Sequence, residues 1–249
     1  MQAAGINRII LGPKEGLAVN NGATFTAAMA ALAVIDAKYL VNLADGALAM
    51  SLEALMGCSA AFDHRLHEAR GQIGQIDAAK NVSRLISGSE LINQSGRVQD
   101  AYSLRCAPQV HGSVRDTIAF VEQIVEREAN AATDNPLLFE PDEAISGGNF
   151  HGEPVGLVMD YLGIALAELA AISERRIFRL TDGKLNTGLP PMLVDSDEAA
   201  GLNSGLMMPQ YTAASLVLEN QTLAHPDSVH SLPTSGEQED HNANATTAA

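Results

Sequence analysis

The sequence has 249 residues, and its 15 Lys and Arg against 30 Asp and Glu give a formal net charge of −15 at pH 7. Hydrophobic residues make up 46% of the chain and charged residues 18%, a balance that is atypical of intrinsically disordered proteins. The acidic charge argues against a protein that binds duplex nucleic acid or an anionic membrane, since both partners need a face rich in Lys and Arg.

The residue usage favours helices. The chain contains 39 Ala and 28 Leu but only 4 Tyr, 6 Phe and no Trp, and Ala and Leu are strong helix formers, whereas strands are enriched in aromatic residues. No apolar run reaches about 18 residues without a charge, and the first residues lack the layout of a signal peptide. Two cysteines, Cys58 and Cys106, make no disulfide framework. We therefore predict an all-α, cytoplasmic protein with a single helical domain over residues 1–249.

The first half of the chain predicts helices separated by short breaks. Residues 16–56 follow a helical period, with apolar side chains spaced three and four apart. These side chains are Phe25, Ala28, Leu32, Ile35 and Tyr39. The pair Asp45 and Gly46 predicts a break, after which a second helix is expected over 47–70. A shorter helical piece is predicted over 77–86.

The second half predicts three further helices. The first covers 111–132, and its apolar face is formed by Val114, Ile118, Val121, Ile124 and Val125. The turn before Pro136 ends it, because a residue that precedes proline avoids the helical conformation. A long helix is predicted over 152–180 and a last one over 208–223.

The segment 98–108 lacks a steady period and is predicted to be a loop that carries functional side chains. Gln99, Tyr102 and Arg105 are three residues apart, so one turn of backbone can direct all three toward a common pocket. The planar Arg fork suits a carboxylate, and a phenol beside a cation can move protons. The alternative is structural, with Arg105 in an ion pair and Tyr102 as a core aromatic.

Six short segments need a joint explanation. They are KEGLAVNNG (14–22), VQDAYSLRC (98–106), TDNPL (133–137), SGGNFHGEP (146–154), SERR (173–176) and PTSGEQEDH (233–241). In this order and spacing they resemble the aromatic amino-acid ammonia-lyases, which include the histidine, phenylalanine and tyrosine enzymes and related aminomutases. The resemblance extends over almost the whole chain.

The resemblance implies a mechanism and a set of site residues. Members of the family use an electrophilic methylidene-imidazolone ring, formed from an Ala-Ser-Gly tripeptide, to activate an amino acid for loss of ammonia. By this resemblance Arg105 holds the substrate carboxylate and Tyr102 belongs to the catalytic site. Asn21 and Gln99 match amides around the ring and the carboxylate, and Phe150 matches an aromatic residue that lines the pocket.

Glu239 indicates which branch of the family the chain resembles. The sequence Glu239-Asp240-His241 is similar to that of the histidine enzymes, in which the glutamate faces the polar end of the substrate. A carboxylate in an enclosed site favours an imidazole over a plain phenyl ring. The alternatives are a phenylalanine or tyrosine enzyme or an aminomutase, or an acidic pair that only stabilises a helix N-terminus.

The expected ring-forming tripeptide is absent from the sequence, which contains no Ala-Ser-Gly. By the resemblance this tripeptide and the usual catalytic base precede Met1, so the chain corresponds to a central portion of a lyase. We expect a fragment, since the first residues enter a helix almost at once and the Ala-rich last residues could continue one; a split enzyme and a non-catalytic helical scaffold are the alternatives.

The resemblance also implies a homotetramer with sites shared between subunits. Small side chains of the long helix would permit its close approach to other helices. These side chains are Ala165, Ala167, Ala170 and Ala171.

A histidine pair raises the question of a metal. His64 and His67 are three residues apart on a predicted helix and can face the same side. A third ligand at helical spacing is not evident, and the neighbouring charges Asp63, Arg65 and Arg70 are typical of a solvated face. We therefore predict no metal site.

Overall fold

The computed structural model describes residues 2–140, 142–196, 199, 201–234, 236 and 238–249. In this part of the chain the helices are α1 Glu15–Asn20, α2 Thr24–Ala54, α3 His64–Arg70, α4 Ile73–Leu85, α5 Tyr102–Arg105, α6 Ala107–Ala129, α7 Glu153–Thr181, α8 Met207–Leu223 and α9 Ala245–Ala248. Strands β1 Leu137–Phe139 and β2 Glu143–Ile145 form an antiparallel hairpin. Short 3-10 helices cover Gln2–Ala4, Ser59–Phe62 and Pro191–Leu193. The predicted all-α class is confirmed.

Three long helices, α2, α6 and α7, form the main core. Small residues of α2, such as Ala30 and Ala37, are fully buried, which allows the other two helices to approach its axis closely. Helix α6 is antiparallel to α2, because Lys38 pairs with Glu122 whereas Asp45 contacts His111. Helix α7 begins beside the N-terminus of α2, where Gly152 lies against Ala23.

A second core cluster surrounds the C-terminal end of α2. Leu52 of α2 and Leu55, which directly follows this helix, pack there with Val82 of α4, Leu104 of α5 and Ile172 of α7. Helix α8 packs along α7 and contributes no fully buried side chain. The C-terminal end of α2 is therefore the point at which α4, α5 and α7 meet.

Two predicted helix boundaries in the first half are wrong. Helix α2 continues through Asp45 and Gly46, because the Asp45 carboxylate points into the core and is bonded there rather than forming a turn. The break lies instead before Thr24, where α2 begins. The predicted helix over 47–70 is also interrupted, since α2 ends at Ala54 and Asp63 caps a new helix by accepting a hydrogen bond from the amide of Arg65.

The apolar stripe predicted on α2 lies on the exposed side of the chain. Phe25, Leu32, Ile35 and Tyr39 are 63–70% exposed, and the buried face runs instead through smaller residues such as Val34 and Val41. Both faces of α2 are apolar, so helical periodicity cannot tell which one the chain buries. We define the four exposed residues as the α2 stripe.

The later helices agree more closely with their predictions. The apolar face of α6 is confirmed, with four of its five residues buried and Ile124 partly buried. The helices predicted over 152–180 and 208–223 correspond to α7 and α8. The predicted loop over 98–108 is wrong in part, since it contains α5 and the start of α6. The hairpin was not predicted.

Helices α2 and α7 are long and apolar enough to cross a membrane by length and composition alone. Both carry buried polar groups that pair with neighbouring helices, such as Asp45 of α2 and Arg176 of α7. Core helices of a water-soluble bundle meet the same criterion, so this finding gives no indication of a membrane.

Candidate functional site

The predicted site residues form two groups at opposite ends of α2. Gln99, Tyr102 and Arg105, which we call the α5 group, lie near the C-terminal end of α2, since Arg97 donates a hydrogen bond to the carbonyl of Leu55 (2.7 Å). Asn21, Phe150 and Glu239, which we call the Asn21 group, belong to loops near its N-terminal end. Helix α2 has 31 residues, so at 1.5 Å per residue it is about 45 Å long, and the two groups lie near its opposite ends.

Arg105 and Tyr102 lie side by side in the α5 group. The guanidinium carbon of Arg105 is 4.7 Å from the centre of the Tyr102 ring, and its Nε donates to the carbonyl of Asp100 (2.8 Å). Its two terminal nitrogens have no hydrogen-bond partner among the described residues. Tyr102 is 70% exposed and Gln99 is exposed as well. The pair therefore presents an open guanidinium fork and a phenol on the same surface.

Buried polar groups hold the α5 group in place. Asp100 accepts hydrogen bonds from the amide of Cys58 (2.6 Å) and from Arg97, while Arg176 of α7 donates to the carbonyl of Ser103 (3.2 Å). Arg176 is 2% exposed, and burial lowers its pKa to about 10, so it remains a cation at neutral pH. The backbone of α5 is thus fixed from two sides.

An apolar groove of about 660 Å³ borders the α5 group. It runs between α8 and the surface formed by α5, α6 and α7, and its wall includes Tyr102, Cys106, Glu174 and Leu218. Glu174 is almost fully buried and is paired with Arg175. Tyr102 therefore lies where a charged surface meets an apolar groove.

Within the Asn21 group, Asn21 itself is held by Asp134. The Asp134 carboxylate accepts hydrogen bonds from Lys14 Nζ, from Asn21 Nδ2 (2.8 Å) and from the amide of Asn135 (2.7 Å). The hydrogen bonds from Lys14 and Asn21 lower the pKa of Asp134 to about 2. The Asp134 carboxylate is therefore an anion at any physiological pH, and the ammonium group of Lys14 offsets its charge.

The loops of Phe150 and Glu239 meet beside the same end of α2. His151 Nε2 is 3.2 Å from the carbonyl oxygen of His241, which joins the two loops. Thr234 donates to a carboxylate oxygen of Glu239 (2.7 Å), and Phe150 is 41% exposed. Ser235 and Glu237 of the same motif lie outside the described residues. No acidic residue occupies the first turn of α9, so Glu239 does not serve that helix N-terminus.

The structure brings Tyr102 and Arg105 together, but it places Asn21 at the other end of the chain's longest helix. Neither structural alternative describes the α5 group, since Tyr102 is exposed and Arg105 bonds to a backbone carbonyl. Sequence reasoning gave no role to Asp134 or Lys14. Both lie in the quoted motifs, in which the ammonium of Lys14 and the amide of Asn21 could have been matched with the carboxylate of Asp134 by their chemistry.

The histidine pair of α3 does not form a shared site. His67 is buried, with Nε2 3.1 Å from the carbonyl of Ala61 and Nδ1 2.9 Å from Gln75, whereas His64 is exposed. Among the described residues no group of three or more potential ligands could hold a metal ion.

Comparison with known proteins assigns the family. The sequence profile of the aromatic amino acid lyases matches residues 1–249. The chain belongs to the aromatic amino acid lyase family. This lyase chain is 56% identical over 252 residues to a histidine ammonia-lyase from Caldanaerobacter subterraneus subsp. tengcongensis, and 51% identical over 251 residues to one from Geobacillus kaustophilus. It covers 49% of each, and so spans about half the length of these relatives.

Solved structures show the same fold. Histidine ammonia-lyase from Trypanosoma cruzi matches the lyase chain with a TM-score of 0.88 at 42% identity, over 99% of this chain and 46% of that one. Pantoea agglomerans phenylalanine aminomutase matches with a TM-score of 0.93 at 31% identity, over 99% of this chain and 52% of that one. The helical arrangement is therefore shared by family members that are named for different activities.

Proposed function

We propose that this chain forms part of a histidine ammonia-lyase, which eliminates ammonia from L-histidine to give urocanate. The observation that carries the proposal is the 56% identity to the Caldanaerobacter histidine ammonia-lyase along the whole chain. Glu239 supports the same substrate, because a carboxylate is a suitable partner for an imidazole N–H. A phenylalanine or tyrosine ammonia-lyase or an aminomutase is the second candidate, supported by the fold of the Pantoea aminomutase.

The electrophile of this reaction comes from outside the 249 residues, which contain no Ala-Ser-Gly. The side chains present suit a site for an amino acid beside such a group, because Arg105 has an open fork for a carboxylate and the Asn21 oxygen is an unused acceptor. When bound, the methylidene-imidazolone ring makes the amino group of the substrate a better leaving group.

The residues of this chain bind and orient the amino acid. Arg105 binds the substrate carboxylate through its two terminal nitrogens, with the Gln99 amide as a second donor. Tyr102 moves a proton at its hydroxyl oxygen, and the Arg105 guanidinium lies over its ring. Glu239 accepts a hydrogen bond from the imidazole, and Phe150 packs against the substrate ring.

A complete site requires more than one copy of the chain. The α5 group and the Asn21 group are too far apart in one copy to contact one small substrate, so we propose that one copy supplies the α5 group and another the Asn21 group. The α2 stripe supports such an assembly, because monomeric proteins rarely expose large contiguous apolar patches. Following the family resemblance, we propose that the enzyme is a cytoplasmic homotetramer.

The test uses the full-length enzyme, formed by this chain and the segment that carries Ala-Ser-Gly. We expect it to convert L-histidine to urocanate, measured by ultraviolet absorbance, whereas the isolated chain leaves the absorbance flat. Turnover of only phenylalanine or tyrosine would favour the second candidate. Turnover by the isolated chain would contradict the proposal that the electrophile comes from elsewhere.

Arg105→Ala tests the role of the guanidinium in the full-length enzyme. Loss of a charged hydrogen-bonded pair should weaken substrate binding by about 2–5 kcal/mol. We expect a large rise of KM for L-histidine, and a smaller rise for Arg105→Lys, which keeps the charge but not the planar fork. An unchanged KM in the Ala variant contradicts the assigned role.

A further inference from the structure

We propose that Asp134 is a positioning residue that turns the Asn21 amide so that its oxygen faces the ammonium group of the substrate. The inference rests on the proposed function and deepens it, because it names the part of the substrate that Asn21 contacts. Neither the helical period nor the motif spacing indicates this role, which follows from the hydrogen bonds around Asp134.

The chemistry of Asp134 determines which way the Asn21 amide points. An ionised carboxylate can only accept hydrogen bonds, so the Asn21 atom that lies 2.8 Å from Asp134 Oδ1 has to be the NH₂ group. The amide oxygen then points away from Asp134, and it has no partner among the described residues. Asn21 therefore presents an acceptor to its surroundings, and this acceptor suits an N–H donor rather than a carboxylate.

The backbone around Asn21 is fixed against the same segment. Gly22 has a φ of +88°, and a Cβ atom there would lie 2.7 Å from Thr133 Oγ1 and 2.9 Å from the Thr133 carbonyl oxygen. Only glycine allows this approach. The turn that carries Asn21 is thus held by Thr133 through its backbone and by Asp134 through its side chain, which leaves the amide little freedom to move.

The charges at this end of the chain agree with an ammonium ligand. Lys14 is already paired with Asp134 and is 22% exposed, so its charge is largely offset rather than directed at an incoming cation. Glu239 adds a further carboxylate to the Asn21 group. The carboxylate of the substrate is left to Arg105 in the α5 group, at the far end of α2.

The experiment compares two ligands that differ in the amino group. In the full-length enzyme Asp134→Asn allows the Asn21 amide to rotate, because the introduced side-chain amide offers both a donor and an acceptor. We expect KM for L-histidine to rise about tenfold or more. Inhibition by imidazole-4-propionate, which has the same ring and carboxylate but no amino group, should change less than twofold. Asp142→Asn, an exposed site in the hairpin turn, is the matched control and should leave both constants unchanged.

A reciprocal exchange provides the rescue. Asn21→Asp alone places two carboxylates together and should raise KM strongly, whereas Asn21→Asp combined with Asp134→Asn restores a donor–acceptor pair with an outward oxygen. We expect the double variant to bind L-histidine better than either single variant. The inference is overturned if Asp134→Asn weakens the binding of both ligands equally or has no effect on KM. It is also overturned if the double variant binds L-histidine no better than the single variants. If the unaltered enzyme has no histidine activity, the proposed function fails first, and the two failures are thereby distinguished.

Discussion

At the residue scale, a buried polar network joins α2 to its neighbours. The Asp45 carboxylate is fully buried and accepts hydrogen bonds from His111 Nδ1 (2.7 Å), Asn81 (2.8 Å) and Arg115 (2.5 Å). Burial opposes the charge of Asp45, but the bonds from His111 and Asn81 and the charge of Arg115 outweigh it and lower its pKa. Burial also lowers the pKa of His111, whose Nε2 has no partner among the described residues. His111 is therefore neutral in the folded protein.

His111 should make the fold sensitive to mild acid. The unfolded histidine takes up a proton near its usual pKa of 6.5, whereas the folded one does so at lower pH, so the free energy of unfolding falls as the pH drops below about 6.5. For one such site the loss is at most about 1.4 kcal/mol per pH unit. His111→Gln can still donate to Asp45 but does not titrate. We expect urea denaturation to show that the free energy of unfolding falls less between pH 7.5 and pH 5.5 in this variant than in the unaltered protein. His67 is present in both proteins.

An equal loss of stability in the two proteins would contradict this role of His111.

The network around Asp45 was not predictable from the sequence, where Asp45 before Gly46 has the typical form of a turn. Its partners come from α4 and α6, 36 and 66 residues further along the chain, so only tertiary packing reveals them. Asp134 is a similar case. Its position before Asn135 and Pro136 predicts the end of a helix, and the sequence does not indicate its hydrogen bond with Asn21.

At the scale of elements, two glycines set the closest helix approach. Gly74 of α4 lies against Gly112 of α6, and a Cβ atom at either position would overlap the backbone of the other helix. Because backbone atoms cannot move aside as a side chain can, the contact requires glycine on both helices. This crossing holds α4 beside α6 and so supports the core under α5.

Gly112→Ala should destabilise the protein by about 1–3 kcal/mol or more, because it forces the two helices apart. Gly46→Ala is the matched control: Gly46 lies inside α2 and a Cβ atom there meets nothing within 4 Å. The free energy of unfolding of Gly46→Ala should rise by about 0.5–1 kcal/mol, since alanine is a better helix former than glycine. Thermal unfolding of both variants measures the difference. A stabilising effect of Gly112→Ala, or a loss with Gly46→Ala, would contradict the described packing.

Periodicity and turn signals predicted the elements well where one face alone is apolar, as in α6. They failed in α2, where the α2 stripe and the buried Ala- and Val-rich face satisfy the same helical spacing. The sequence also could not indicate α5, because one turn is too short to show a period. The motifs nevertheless indicated Tyr102 and Arg105 as candidates, and the structure places these two side chains next to each other.

At the scale of the whole molecule, the separation of the two site groups is the central feature. Asn21 and Arg105 lie near opposite ends of α2, a helix about 45 Å long, in one copy. The exposed α2 stripe provides a surface on which a second copy could bring the two groups together. The family resemblance implied shared sites, and the length and direction of α2 supply a physical reason for the sharing that we propose.

Subunit mixing tests this account most directly. Full-length enzymes with Asn21→Ala or with Arg105→Ala should each be nearly inactive alone. If a site takes Asn21 from one copy and Arg105 from another, random mixed assembly of the two variants leaves about a quarter of the sites intact. We therefore predict that co-expressed variants regain about a quarter of the unaltered histidine activity. Mixed oligomers that stay as inactive as the parent variants would contradict the shared site.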